Sequence, residues 1–243
     1  MVEAAVILVA GIGSRLRPIT DSRPKALAPI GEETILARAV RLLLEFGVSR
    51  LVLATGYRED AVRAALGGLA CEVVFCPNPR YDSTQNSVSL ALCREAVAGR
   101  SFFKLDGDVV FDPEVLTRIA APSAELTAGV DSARKLDAEA MKVVVNGRAI
   151  RRFGKAVPLA ESHGESIGIE RITASASAKL FDALDERIGA GVTNLYYEDV
   201  YSEMIGRGEL AAEVADVSGL RWTEVDTFED LEAARRLFTP SGA

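Results

Sequence analysis

Histidine is nearly missing from this chain, with His163 alone among 243 residues, and cysteine is confined to Cys71, Cys76 and Cys93. An odd number of thiols at spacings that match no metal-ligand set argues against zinc and against a disulfide framework. It reads as the reduced core thiols of a cytoplasmic protein. Basic runs are absent too: 28 Lys+Arg stand against 35 Asp+Glu, a formal charge of −7. No nucleic-acid partner is expected of such a surface. The apolar run Val6-Ile7-Leu8-Val9 is too short to span a membrane, and the opening Met1-Val2-Glu3 lacks a signal peptide's basic region. Stable membrane association is therefore not expected; a homodimer is left open.

What is present is an ordinary globular balance, 49% hydrophobic and 26% charged, with material for a sizeable core. Apolar runs alternate with helical periodicity. Strands are predicted at Val6–Val9, Leu51–Ala54, Glu72–Phe75 and Phe102–Leu105, with helices over Ile35–Phe46, Glu59–Leu66 and Ser87–Ala98 between or beside them. This order implies a Rossmann-like α/β fold, a mostly parallel mixed sheet flanked by helices, with ligands beyond the carboxyl ends of the strands. The loops after Val9, Ala54, Cys76 and Leu105 should share one rim. Asn146-Gly147 between two apolar runs predicts a hairpin. Helices are expected over Ser175–Ile188 and Asp199–Arg207, then a strand at Trp222–Val225 and a capped helix from Thr227. We read one domain: a nucleotide-binding half (about 1–125), an acceptor-binding β insertion (about 126–225) and a C-terminal helix (226–243).

The first chemical constellation is Ala10-Gly11-Ile12-Gly13-Ser14-Arg15-Leu16-Arg17-Pro18, followed by Arg23-Pro24-Lys25. Glycines after a strand let backbone N–H groups approach phosphate oxygens, and Arg15 and Lys25 can neutralise a triphosphate. Gly-Lys-Ser/Thr of a Walker A loop is absent, and a dinucleotide fingerprint would need glycine where Leu16 stands. The bland alternative is a mere strand-to-loop turn.

With Arg15, Pro24 and Lys25 in place, the segment resembles the opening signature of the sugar-nucleotide type of nucleotidyltransferase, Val9 replacing one alanine. Within that superfamily the chain is similar to the phosphocholine cytidylyltransferase-like branch. The segments that carry this are Asn78-Pro79-Arg80-Tyr81 with Asn86-Ser87, Asp106-Gly107-Asp108, Met141-Lys142-Val143, Gly164–Ile169, Tyr196-Tyr197-Glu198-Asp199 and Trp222–Asp226. The resemblance implies the nucleotide-diphospho-sugar transferase fold and a Mg²⁺-dependent enzyme of the EC 2.7.7 type. Such an enzyme transfers CMP from CTP to a small phosphorylated acceptor, phosphocholine-like, with release of pyrophosphate. The same chemistry with aminoethylphosphonate, inositol 1-phosphate or a sugar 1-phosphate, or with UTP, stays open. So does a non-catalytic nucleotide-binding domain.

Site residues follow from the resemblance. Asp108 and Asp226 are the implied metal ligands, with Glu224 on the same side of its strand as Asp226. Asp106 is read as a supporting or loop-stabilising residue. Arg15 and Lys25 hold the β- and γ-phosphates, and Lys142 meets the reacting phosphates. Ala10, Gly11, Gly13, Gly56, Gln85, Asn86 and Ser87 are candidates for the nucleotide, although Ser87 also makes a good helix cap. Glu165, Tyr197, Glu198 and Asp199 are candidates for the acceptor's head group, with cation–π help from Tyr196, Tyr197 or Trp222. The bland reading of Glu198-Asp199 is a solvated acidic helix start.

Overall fold

The computed structural model describes residues 2–239; the last four positions of the expected C-terminal segment lie outside them. The chain opens with β1 (Ala4–Leu8). A phosphate-loop candidate of short 3-10 turns and a small ribbon, β2 (Pro29–Ile30) with β3 (Glu33–Thr34), lead into α1 (Ile35–Phe46). The hydroxyl of Thr34 accepts from the Ala37 N–H to start α1, and Gly47 ends it at φ 107°, a conformation that strains any residue with a Cβ. Next come β4 (Arg50–Thr55), α2 (Glu59–Ala65), β5 (Glu72–Pro77) and α3 (Asn86–Ala91). They are followed by β6 (Phe102–Asp106), β7 (Val109–Phe111), α4 (Glu114–Ala120) and β8 (Leu126–Asp131). The remainder is β9 (Lys142–Asn146), β10 (Ala149–Gly154), β11 (Gly164–Ile172), α5 (Ala174–Gly189), α6 (Tyr197–Gly206), β12 (Ala212–Asp216), β13 (Trp222–Glu224) and α7 (Phe228–Phe238).

A nine-stranded sheet runs β5-β4-β1-β6-β11-β8-β12-β10-β9. The N-terminal strands pair in parallel, β5 with β4, β4 with β1 and β1 with β6. Antiparallel ladders enter with β11, which pairs with β6, β8 and β9, and with the β9–β10 hairpin. Successive residues of β1 and β4 are buried on alternate faces. Ala5, Ile7, Leu51 and Leu53 join one core cluster; Ala4, Val6, Val52 and Ala54 join another. Burial on both faces is why these strands read as unbroken apolar runs.

The expected hairpin forms around Gly147, with a register shift between Ile150 and Arg152. The expected helix over Ser87–Ala98 stops at Ala91 and continues only as a short 3-10 turn at Glu95–Val97. No strand is predicted from sequence over Gly164–Ile172, yet β11 occupies the middle of the sheet. Its alternation is masked by Gly168 and by Glu170, a charged residue with no exposure at all. Gly168 sits at φ 72°, and a Cβ there would strike the Asp106 carboxylate.

Candidate active site

The ends of β1, β4 and β6 meet as the parallel order requires. The Gly107 N–H donates to the Leu8 carbonyl, and the Tyr57 N–H donates to the Ala10 carbonyl. Together with loops from the second half of the chain they line a cleft of about 460 Å³. A larger hollow of about 590 Å³, walled by Val130, Val145, Val214 and Ala215 with Arg118 and Arg148, holds no carboxylate cluster among the described residues.

At one end of the cleft, Asp108, Glu224 and Asp226 place carboxylate oxygens within 4.8 Å of one another. The β7–β13 ladder makes this meeting possible: Glu224 is in register with Val109, and the Val225 N–H donates to the Asp108 carbonyl. Asp226 is held from the other side by Asp230, whose carboxylate accepts from the backbone N–H groups of Asp226 and Thr227. Lys25 lies between the two aspartates, its ammonium 2.5 Å from Asp108 Oδ2 and 2.6 Å from Asp226 Oδ1. The Arg15 guanidinium reaches Asp226 Oδ2 at 2.8 Å. Gly13, at φ 69°, makes room for Lys25: a Cβ there would lie 2.7 Å from that of Lys25.

Burial alone would lower the Lys25 pKa, but Asp108 and Asp226 outweigh it and raise the ammonium above the ordinary lysine range. Burial pushes the Asp226 carboxyl up, and Lys25 and Arg15 override it, leaving it below its usual value. For Glu224, burial and then Asp108 act together and push the carboxyl up to about 8. Three carboxylates with one buried oxygen, Asp108 Oδ1, lacking any partner among the described residues are a donor set that fits a hard divalent cation.

Asp106 stands apart from this group. Its Oδ1 accepts from the Lys104 ammonium at 3.2 Å and its Oδ2 from the Tyr197 hydroxyl at 2.7 Å. Lys104, Glu170, Tyr197 and Glu198 form a buried polar nest under the start of α6, with Lys104 Nζ 2.8 Å from Glu170 and 3.6 Å from the Tyr197 ring centre. Burial pushes Glu170 up to about 7 although Lys104 pulls the other way. Burial and then Asp106 push Glu198 up to about 8.

The residues expected at the acceptor divide. Glu198 lines the cleft, is 4% exposed, and its Oε2 has no partner among the described residues. Glu165 lines the cleft as well, 3.1 Å from Arg134 Nε. Tyr197, expected in the wall, is fully buried with its hydroxyl committed to Asp106. Asp199 accepts from the Tyr196 N–H and so stabilises the start of α6. Lys142, expected at the reacting phosphates, is 2% exposed, and its ammonium donates to the carbonyls of Asp137, Ala138 and Ala140.

On the nucleotide side, Ala10, Gly11, Arg15, Gln85 and Asn86 line the cleft. Asn86 Oδ1 accepts from the Tyr197 N–H, and the Ser87 hydroxyl donates to the Leu195 carbonyl, so both also tie α3 to the chain entering α6. Gly56 lies where a Cβ would strike Tyr81. Sequence reasoning missed Arg134 and Lys155, which line the cleft, and Lys104 with Glu170. A charge inside the apolar run Phe102–Leu105 was the available signal for Lys104; surface loops gave none for Arg134.

Residues 5–135 match the model of the family described as the MobA-like NTP transferase domain. CMP-5'-(3-aminopropyl)phosphonate synthase of Streptomyces rubellomurinus is 33% identical over 253 residues, 97% of this chain and 39% of its own length. CTP:phosphoglutamine cytidylyltransferase of Campylobacter jejuni is 26% identical over 251 residues, 94% of this chain and 97% of its own length. The chain spans about half the length, or less, of several curated relatives, the Streptomyces protein among them. In fold, the inositol-1-phosphate CTP transferase of T. maritima superimposes with a TM-score of 0.82 at 24% identity, covering 100% of this chain and 98% of that one. With a family model matched over more than half its length, the chain belongs to the MobA-like NTP transferases.

Proposed function

We propose that this protein transfers CMP from CTP to a small acceptor that carries a phosphate or phosphonate at one end and a protonated amine at the other, releasing pyrophosphate. The observation that carries the reading is one cleft with Lys25 between Asp108 and Asp226 at one end and the Glu198 carboxyl, its Oε2 without a partner among the described residues, in the wall. CTP is supported by the relatives named for cytidylyl or CMP chemistry.

The acceptor oxygen attacks the α-phosphorus of CTP in line, and the bond from that phosphorus to the bridging oxygen breaks as pyrophosphate leaves. Asp108 and Asp226, with Glu224 beside them, would hold a divalent cation, Mg²⁺, which when bound supplies Lewis-acid neutralisation of charge on the phosphates. Arg15 and Lys25 turn from the carboxylates to the β- and γ-phosphates and take up the charge of the departing pyrophosphate. Backbone N–H groups of the Gly11–Gly13 loop approach the phosphates without a side chain in the way. Gln85, whose side chain makes no hydrogen bond among the described residues, offers its amide to the edge of the base. No covalent intermediate is needed, since positioning and charge neutralisation suffice.

The choice of amine rests on Glu198. A buried carboxyl oxygen without a partner is costly; a primary ammonium brings the N–H that a quaternary one lacks, and its charge favours ionisation of a carboxyl that burial otherwise pushes up to about 8. Phosphocholine remains the second reading because Tyr196 lines the same wall and offers an aromatic face. The test is pyrophosphate release with Mg²⁺, crossing the four nucleoside triphosphates with aminoethylphosphonate, phosphocholine, inositol 1-phosphate and glucose 1-phosphate. Release with CTP and aminoethylphosphonate is expected. Release with phosphocholine alone would replace the amine reading, and absence of nucleotide binding would sink the proposal. Asp108→Asn and Asp226→Asn should each cut turnover roughly hundred-fold or more, with circular dichroism unchanged; near-normal activity in either would remove its metal role.

A further inference from the structure

Among the described residues three cations line the cleft: Arg15, Arg134 and Lys155. Arg15 is engaged at the Asp226 end, and Lys142 is withdrawn into the turn at 137–140. An acceptor's phosphorus oxyanion therefore has Arg134 or Lys155 to meet, and their settings differ. Lys155 lies beside Tyr196, 5.2 Å from the ring centre and 3.5 Å from Glu139, at the α6 side of the cleft. The Arg134 guanidinium lies 4.2 Å over the ring of Trp222.

Trp222 is a built platform. It is 6% exposed, and its indole N–H donates to Asp131 Oδ2 at 2.8 Å. Asp131 Oδ1 in turn accepts from the Ala133 N–H and the Ser218 hydroxyl, fixing the start of the loop that bears Arg134. The three carbonyls gripped by Lys142 fix the loop's other end. Trp222 and Glu224 are two apart in β13, so their side chains share a face about 7 Å apart, next to the Asp108–Asp226 cluster. Glu165 orients the guanidinium through Nε, and its two terminal nitrogens make no hydrogen bond to the protein among the described residues. A planar fork, held over an aromatic ring with both terminal nitrogens unbonded to the protein among the described residues, matches the geometry of a phosphate or phosphonate.

We propose that Arg134 binds the phosphorus oxyanion of the acceptor and that Trp222 is its positioning residue. This rests on the cleft being the transfer site, and it orients the acceptor: phosphorus toward β13 and the metal cluster, amine toward Glu198 at α6. Lys142 then acts on the acceptor only through the loop it holds.

Trp222 is the protein's one tryptophan, so its emission reports directly on the ring under Arg134. Titration of the full chain with aminoethylphosphonate, and separately with inorganic phosphate, should change that emission saturably. Arg134→Ala should abolish the response and raise the acceptor KM about ten- to a hundred-fold, leaving the CTP KM and the melting temperature close to wild type. Arg134→Lys, which keeps the charge but not the fork, should fall between. A guanidinium that merely covers Trp222 would instead lower the melting temperature and shift both KM values alike, and that outcome overturns the proposal. So does an unchanged acceptor KM in Arg134→Ala, or a wild-type protein that shows neither an emission change nor calorimetric heat with either anion. If wild type releases no pyrophosphate with any acceptor, the transfer reading fails, while the titration still decides whether Arg134 is an oxyanion site.

Discussion

Lys25 occupies the point between Asp108 and Asp226 where opposite charge is most needed, bonded to both. Two close carboxylates, with Glu224 beside them, repel unless a cation intervenes. Replacing the ammonium in Lys25→Met should therefore lower the melting temperature in the absence of metal and make it rise with added Mg²⁺ by more than in wild type. Differential scanning fluorimetry with and without Mg²⁺ measures this, and an equal Mg²⁺ response in both proteins would contradict it. Glu198 gives a second residue-level test. Folded, its carboxyl releases its proton near pH 8, against an ordinary 4.5. Between those values the folded chain holds a proton the unfolded chain has lost, so this group withdraws stability as pH rises from about 4.5 through about 8. Glu198→Gln should match wild type near pH 5 and exceed it at pH 8.5 by a few kcal/mol at most. Urea denaturation at both pH values decides; a difference that shrinks toward high pH would refute the sign.

Among the elements, α7 does more than cover a core. Its capping box closes on Asp230, which also accepts the N–H of Asp226. The same side chain thus starts the helix and fixes the aspartate that faces Lys25. Asp230→Ala should cost about 1 kcal/mol of stability, the usual worth of such a cap. It should also lower turnover by more than that loss explains, because Asp226 loses its tether. Chemical denaturation paired with steady-state kinetics at a temperature where both proteins are folded separates the two effects. Strand β11 shows how an element escapes a pattern reading. Glu170 and Lys104 face each other inside the sheet, and Gly168 breaks the run, so a central strand looks like a polar loop. The β9–β10 hairpin, by contrast, was legible because Asn146-Gly147 supplies local turn chemistry that needs no partner.

For the whole molecule, the expected halves at about 1–125 and 126–225 share one hydrogen-bonded sheet, since β11 from the second half pairs with β6 from the first. Return of the chain to the first half is repeated at β13, which pairs with β7, and at α7, which packs on β2. We therefore propose one cooperative unit. Unfolding followed by Trp222 emission and by far-ultraviolet circular dichroism should give coincident transitions. Separated midpoints would mean that the acceptor side unfolds on its own. Among the described residues no helix is long and apolar enough to cross a membrane.

By itself the sequence determined the parallel half of the sheet and the glycine loop after β1; Asp108 and Asp226 were singled out only through the family resemblance. The sheet and the loop are written in local patterns, buried runs and turn residues that depend on near neighbours in the chain. Only the tertiary structure decided which side chains share the cleft. Asp108 and Asp226 are far apart in sequence and meet because β7 and β13 pair. Lys142 and Arg134 lie on one stretch of chain and are both cations, yet one is consumed by three backbone carbonyls and the other lies over Trp222, paired with Glu165 through Nε. That difference depends on where a long flexible side chain finds its partners, and those partners come from strands and loops that no local pattern connects.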